Sequence, residues 1–300
     1  MKDNKPLLTI CIPTYNRKEK IQKQVRKILP LLTDEVLLVV NDNNSSYDIY
    51  ELFTEEEKAQ FVLNVNCFNI GGDANIAKSF LCCRTKWLWT LSDDDSLTQD
   101  AIRIVLDTIK SNDQSIFINF NKPNTITTHN LKEFLNTAKV YYSDLFWMSI
   151  CVYNMNYLKD YMHHYFPYIS VMQPGVVLLV RSLAEHDSDI VFTKNKIIEY
   201  GGKDISWNHS NFIYASLFLM DIFRDLRKDM RKTFFKSITN MCYSNILQKY
   251  RKDRKFFDAV ELFLNVIYKY GILNTININL KETVRFFVRL IGLFLLKKYN

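Results

Sequence analysis

The sequence predicts an α/β fold built on a mostly parallel sheet, and three observations carry that prediction. Short apolar runs alternate with segments of helical spacing over the first 120 residues. Each run ends in a polar cluster, and one cluster is three consecutive aspartates. The clusters also follow successive runs at comparable depth, as the carboxyl ends of parallel strands would. Strands alternating with helices imply βαβ units. In such sheets the ligand crevice lies beyond the carboxyl ends of the strands.

The first strand is expected over residues 7–12, stopped by Pro13. Residues 17–32 follow with apolar positions Ile21, Val25, Ile28, Leu29 and Leu32, which is helical spacing. A second strand, 35–40, ends in Asn41-Asp42-Asn43-Asn44, and a third covers 61–65. Ala74, Ile76, Ala77, Phe80 and Leu81 give a short helical face. The fourth strand, 87–91, runs into Asp93-Asp94-Asp95. Ser96 and Gln99 are placed to form a capping box for a helix at about 98–110. Residues 115–120 supply a fifth strand and 195–200 a strand-like segment; from about Asn211 the chain reads as helices.

Three polar clusters therefore meet in one crevice: Pro13-Thr14-Tyr15-Asn16, Asn41-Asp42-Asn43-Asn44-Ser45 and Asp93-Asp94-Asp95. Three adjoining carboxylates repel one another unless a cation or solvent screens them. They are hard oxygen ligands that suit Mg²⁺ or Mn²⁺, ions that also bind phosphate. A solvated acidic turn is the plainer alternative, of equal weight for the triplet alone. The loop Asn69-Ile70-Gly71-Gly72-Asp73-Ala74-Asn75 opens the helix before the acidic strand, and its paired glycines allow close backbone approach.

Four segments together resemble a family 2 glycosyltransferase of the GT-A fold. They are residues 9–17 (Thr-Ile-Cys-Ile-Pro-Thr-Tyr-Asn-Arg), 39–45, the Gly71-Gly72 loop with Asn75, and 87–95. Their order and spacing match across about residues 7–120. The Gly-Gly-x-x-Asn loop and the aspartate triplet further resemble the abequosyltransferase-like branch. The resemblance implies a role for each matched position. Pro13, Thr14 and Tyr15 would line the base and ribose of a nucleotide, Asp42 would hydrogen-bond the base, and Asn75 would line the nucleotide-sugar pocket. Asp93 and Asp95 match the ends of the DxD motif, which holds a divalent metal on the donor diphosphate and touches the ribose. Asp94 is an alternative ligand, because the triplet allows two registers. The implied activity is metal-dependent, inverting transfer of a sugar from a nucleotide-diphosphate donor, a UDP-sugar first among them, to a glycan acceptor. Surface polysaccharide or lipopolysaccharide assembly is the implied setting.

Inversion needs a general base for the acceptor hydroxyl. Family 2 enzymes usually carry an acidic pair before a helix, well after the DxD motif. The corresponding stretch, residues 166–174, contains no carboxylate. His163, His164 and Asp204 are the candidates read from the sequence, each with a surface polar residue as the plainer alternative. Trp207 and His209 suit an acceptor site in which a sugar stacks on an aromatic ring; anchoring of a loop is the competing role of Trp207.

Length and composition fit a GT-A domain over 1–210, with a nucleotide-sugar half at about 1–120 and an acceptor half at about 121–210. A helical region at 211–300 would follow. Six cysteines with no CxxC pair read as reduced, buried thiols of a cytoplasmic protein, and the first residues do not read as a signal peptide. The C-terminal stretch 284–298 is apolar with basic flanks, and its longest uninterrupted apolar run, 290–296, is far short of a spanning helix. Such a helix suits the interface of an anionic membrane, with Phe286, Phe287, Leu290, Ile291, Leu293, Phe294 and Leu295 for burial. Packing on the catalytic domain is the competing reading. Membrane contact would place the protein peripherally on the inner face and favour a lipid-linked glycan acceptor. Two other classes explain less. A nucleotidyltransferase would favour a Gly-rich loop directly after the first strand, where this chain has Pro13-Thr14-Tyr15-Asn16-Arg17. A nucleic-acid-binding protein would explain the net charge of +7 but not the acidic triplet, so no nucleic-acid partner is expected.

Overall fold

The opening apolar run forms β1 (Leu8–Thr14), and Leu8, Ile10, Cys11 and Ile12 are wholly buried because the strand is covered on both faces. In the computed structural model, which describes residues 5–171, 175–199, 228–253 and 255–298, the chain continues through α1 (Lys18–Ile28), β2 (Val36–Asp42), α2 (Glu55–Lys58), β3 (Val62–Val65), α3 (Gly72–Cys82) and β4 (Trp87–Thr90). Next come α4 (Ala101–Ser111), β5 (Phe117–Asn119), β6 (Ile126–Thr128), α5 (Leu131–Tyr141), β7 (Cys151–Asn154), α6 (Met155–Leu158), α7 (Gly175–Glu185) and β8 (Ile190–Phe192). Three long helices follow: α8 (Lys228–Asp253), α9 (Phe256–Tyr270) and α10 (Ile272–Lys298). The described residues fall into two compact units, one drawn from 1–134 and 144–203, the other from 135–143 and 204–300.

The strands form one sheet in the order β3-β2-β1-β4-β7-β5-β8-β6. β3, β2, β1 and β4 are parallel, β7 is antiparallel to both β4 and β5, β5 and β8 are parallel, and β6 closes the edge antiparallel to β8. The expected α/β class with a mostly parallel sheet is thus the architecture found. Thr14 pairs with Asp42, and Asp42 with Val65, so the polar clusters do share one end of the sheet.

Several expected boundaries are corrected. The first helix does not reach Leu32: Pro30 lacks the backbone N–H a helix interior needs, and Leu29–Leu31 form a 3-10 turn. The capping box at Ser96 and Gln99 is absent. α4 begins later, with Asp100 as N-cap and no side-chain cap bond. Residues 195–199 make no named strand. Ile198 forms a single bridge to Leu97, and the side chain of Asn121 holds Ile197 and Ile198 instead, donating to Ile198 O at 2.7 Å and accepting from Ile197 N at 2.9 Å. Among the cysteines, Cys11, Cys151 and Cys242 are buried, but Cys67 is exposed.

In the second unit, Phe286 lies against Tyr243 (centroids 4.8 Å apart) and Phe263 (5.2 Å), and the Tyr243 hydroxyl meets Thr283 at 3.0 Å. Phe286 and Leu290 are almost fully buried. Both are expected to face a membrane; both are buried instead, and Phe286 holds α10 to α8 and α9. Gly271, at φ +81°, takes the left-handed position that ends α9. No helix among the described residues is long and apolar enough to cross a membrane.

Gly175 opens α7 where a Cβ would come within 2.4 Å of the Tyr153 ring. Gly175→Ala should therefore destabilise the first unit by about 1–3 kcal/mol. Thermal unfolding checks this; an unchanged melting temperature would show that Tyr153 has room to yield.

Candidate functional site

Backbone hydrogen bonds tie the strand ends together before any side chain acts. Asn43 N donates to Thr14 O at 2.9 Å, Asn66 N to Asp42 O at 2.9 Å, and Leu91 N to Cys11 O at 2.9 Å. Asn16 and Asn44 sit at φ +52° and +67°, left-handed positions that asparagine tolerates better than most residues. Asn16 N donates to Ser45 Oγ and Ser46 N donates to Asn16 Oδ1, both at 2.9 Å, so the loops after β1 and β2 are stapled to each other.

On one side of the staple, Asp42 is 2% exposed. It accepts from Ser45 Oγ at 2.6 Å and from Ser45 N at 3.1 Å. It lines a cavity of about 450 Å³ with Ser45, Tyr47, Tyr50, Leu63 and Val65. The Tyr47 hydroxyl is buried beside Ser45 and Asp42. A carboxylate and a phenol against apolar walls suit a planar heterocycle with polar edges. Tyr15 is exposed at the rim.

An amide network frames the glycine loop. Asn75 donates to Asn41 O at 3.0 Å and to Thr14 O at 3.5 Å. Asn66 donates to Asn43 Oδ1 at 2.8 Å and to Asn75 Oδ1 at 3.1 Å, while Lys78 donates to Asn66. Asn43 Oδ1 also accepts from Ile70 N at 2.9 Å. Asn75 is thus buried and fully engaged at the crevice floor.

On the other side, the acidic triplet is neutralised largely by α1. Arg17 Nη1 lies 2.6 Å from Asp93 and 3.2 Å from Asp94, and Lys20 Nζ lies 3.2 Å from Asp94. Thr14 donates to Asp93 at 2.7 Å, and Gln24 donates to the carbonyls of Ser92 and Asp95 at 3.1 and 3.0 Å. Burial pushes the Asp93 carboxyl above its ordinary value, outweighing Thr14 and Arg17. Burial acts the same way on Asp94, but the bonds from Ser92 and Lys20 and the Arg17 charge bring it below. Asp95 points elsewhere: one oxygen accepts from Trp147 Nε1 at 2.9 Å, and the other has no hydrogen bond among the described residues.

Among the described residues no three acidic, His or Cys side chains converge as a metal cage. With Asp93 committed to Thr14 and Arg17, the donor set fits a cation held by Asp95 and completed by phosphate oxygens, the mode in which one or two carboxylates suffice for Mg²⁺.

The structure thus brings Thr14, Asp42, Asn75, Asp93, Asp94 and Asp95 to one crevice, with Pro13 and Tyr15 in the same loop. It does not bring His164 there. That ring lies 4.0 Å from His163, and burial, then the charges of His163 and Arg181, hold it below the ordinary histidine value against the opposing effect of Glu185. Arg181 and Glu185 belong to the later turns of α7. Asp204, Trp207 and His209 lie outside the described residues. Arg17, Lys20, Gln24 and Trp147 received no role from the sequence. Arg17 stood in a matched segment, and helical spacing carries Lys20 and Gln24 onto its side of α1. Trp147 arrives from a distant turn with no local signal.

The family model of Glycosyl transferase family 2 matches residues 9–176, more than half of the chain. Abequosyltransferase RfbV of Salmonella typhimurium is 25% identical over 104 residues, 33% of this chain and 31% of that protein. The chain therefore aligns with about a third of the curated relative. Among solved structures, S. aureus TarS 1–349 superposes with a TM-score of 0.64 at 13% identity, covering 90% of this chain and 81% of that one. The mannosyltransferase PcManGT of Pyrobaculum calidifontis, in complex with GDP-Man and Mn²⁺, gives 0.54 at 12% identity over 98% and 88%. At these identities the likeness is one of fold.

Arg17→Gln should cost about 1–2 kcal/mol at neutral pH, a buried ion-pair loss discounted because Arg17 is about a third exposed. Asp93, with its folded pKa raised, contributes stability that is lost as pH rises through that value; Asp94, with its folded pKa lowered, contributes stability that is lost as pH falls through it. Arg17 supports both ionised forms. The deficit should therefore be largest at pH 7 and narrow towards about pH 3, as Asp93, with its raised pKa, protonates first and Asp94, with its lowered pKa, follows only at lower pH. Urea unfolding at the two pH values measures it; an equal deficit at both would mean that Arg17 acts through packing.

Proposed function

Because this chain belongs to glycosyl transferase family 2, we propose that it transfers a sugar from a nucleotide-diphosphate donor to a glycan acceptor with inversion at the anomeric carbon. The observation that carries this reading is the shared strand end, where a base-sized cavity on Asp42 and an acidic loop on Asp93–Asp95 flank Thr14. In this reading residues 1–120 bind the donor, 121–210 carry the acceptor side with Trp207 and His209, and 211–300 form a helical appendage. A UDP-sugar is the first candidate donor; TarS has been solved with UDP-GlcNAc and PcManGT with GDP-Man.

Asp42 and Tyr47 would bind the base edge, with Pro13, Thr14 and Tyr15 against base and ribose. Asn75 would hold the Thr14 and Asn41 backbone in place beneath the donor. Asp93, oriented by Thr14 and Arg17, would present an acceptor to the ribose. Asp95 and the donor phosphates would hold Mn²⁺ or Mg²⁺. Such an ion, when bound, offsets the charge that develops on the departing diphosphate. Arg17 and Lys20 add fixed positive charge beside the same position.

The acceptor is proposed to be a membrane-anchored glycan of surface polysaccharide or lipopolysaccharide assembly, met at the inner face of the membrane. Support comes from α9 and α10. Leu264, Tyr268, Val284, Val288, Ile291 and Leu295 are about half exposed or more, with Arg285 and Arg289 exposed among them. Each basic residue near an anionic surface adds about 1 kcal/mol.

Thermal shifts with UDP and GDP, with and without Mn²⁺, followed by hydrolysis of UDP-GlcNAc and GDP-mannose, test the donor half. Asp95→Ala and Asp93→Ala should each remove most turnover and keep the fold. Asp42→Ala should chiefly weaken nucleotide binding, since its contact is remote from the reacting centre. Full turnover in both triplet variants would refute the assignment of the acidic loop.

Val288→Ser with Ile291→Ser should release the protein from phosphatidylserine vesicles without changing its melting temperature. Truncation is a poorer probe, since it would strip Phe286 and Leu290 from the core. Wild-type protein that ignores such vesicles at low salt would rule out the membrane reading.

A further inference from the structure

We propose that Asp73 is the general base that takes the proton from the acceptor hydroxyl, an assignment that rests on the transfer reaction of the preceding section. The reaction needs such a group, and the crevice offers few. Asp42 is engaged by Ser45, Asp93 by Thr14 and Arg17, and Asp94 by Arg17, Lys20 and Ser92, while Asp95 gives one oxygen to Trp147 and the other, in the preceding reading, to the cation. Asp73 is half-buried and has neither hydrogen bond nor ion pair among the described residues. A base must be free to accept, so an unengaged carboxylate at the crevice is set apart from the others.

Its position is fixed by the helix it opens. Gly71 and Gly72 are exposed, and Asp73 stands in the first turn of α3. Asn75, two residues on, reaches Thr14 O at 3.5 Å, and the Thr14 hydroxyl reaches Asp93 at 2.7 Å. The first turn of α3 is therefore one residue removed from the acidic loop. Helical periodicity separates the two roles. Asn75 and Ser79 turn to the strand ends, whereas Asp73, Ala77 and Phe80 share another face.

That second face looks toward the acceptor half. Phe80 lies 5.2 Å from the Tyr153 ring and 5.8 Å from the Tyr165 ring. The Tyr165 hydroxyl is buried without a partner among the described residues and feels the Asp73 charge. Tyr153 in turn is in contact with Gly175, the first residue of α7. Residues 166–174, which precede α7, are the stretch in which the family's acidic pair is missing. Asp73 thus stands on the helix that packs, through Phe80, against Tyr165 and Tyr153, and Tyr153 adjoins the start of α7. Burial also pushes the Asp73 carboxyl up from its ordinary value, and a higher pKa makes a stronger base.

The step balances without further reagents. The acceptor oxygen bonds to the anomeric carbon as its proton passes to the Asp73 carboxylate. The bond from that carbon to the diphosphate oxygen breaks, and its electron pair leaves with the nucleoside diphosphate. Asp73 then returns the proton to solvent.

The test uses the full chain with water as acceptor, UDP-GlcNAc and GDP-mannose as probes, and nucleoside diphosphate release as readout. Asp73→Asn should lower release by about 10²–10³-fold, within the usual range for a lost base. UDP and GDP thermal shifts should stay unchanged, and Asp73→Glu should recover part of the rate. Azide, an anion with no proton to lose, should restore release in Asp73→Asn and yield a glycosyl azide. Release close to wild type, a matching loss of nucleotide binding, or a loss that azide does not relieve would each overturn the assignment. A wild-type protein that releases nothing from either probe would instead bring down the transfer reading, and Asp73 with it.

Discussion

The pairing of Arg17 with Asp93 is the interaction on which the crevice depends. A strand that ends in three aspartates places like charges within a few ångströms of each other, and Asp93 lies almost wholly out of water. Arg17 sits just ahead of α1, so the residue that ends the loop after β1 also neutralises the loop after β4. Lys20, one turn on, shares Asp94, and Gln24, another turn on, holds the backbone of the same loop. One face of one helix therefore sets the conformation of the acidic segment. This cation is fixed in the fold, unlike an exchangeable metal, so the charge of the triplet is partly met before any ligand arrives.

The opposite wall is built from uncharged amides. Asn41, Asn43, Asn64, Asn66, Asn69 and Asn75 bond among themselves and to backbone across β2, β3 and α3. Buried amides of this kind rigidify only when their donors and acceptors are matched. Lys78 and the backbone N–H of Ile70 complete the set. One wall is thus shaped by short, neutral, directional bonds and the other by ions. That division suits a ligand with a flat neutral base at one end and dense charge at the other.

The parallel half of the sheet was legible because β1, β2 and β4 are buried on both faces and so read as continuous apolar runs. Their polar ends were legible for the same reason, since little else interrupts them. β6, β7 and β8 were not: each has three or four residues, too few to display a period, and pairing with distant partners alone fixes them. The amphipathic stretch 284–298 read as a membrane face because sequence counts apolar residues without saying which meet a neighbour. Phe286 and Leu290 proved to be core, while Val288 and Ile291 on the same helix are exposed. Asp73 escaped notice because a loop carboxylate carries no sequence signal until its neighbours are known to be otherwise engaged.

The antiparallel β7 has a consequence for how the chain acquires its structure. β4 receives its outer partner from residues 151–154, some sixty positions later, and β5 receives the same strand from its other side. During synthesis the Trp87–Thr90 edge must wait, with its apolar neighbours exposed, until that strand emerges. Pairings of such long sequence separation are slow to form, and a waiting edge is a site for wrong association. The parallel half of the sheet is therefore not closed by its own residues. It is finished by a strand from the half that follows it, so both halves of the proposed active site mature in a single closing event.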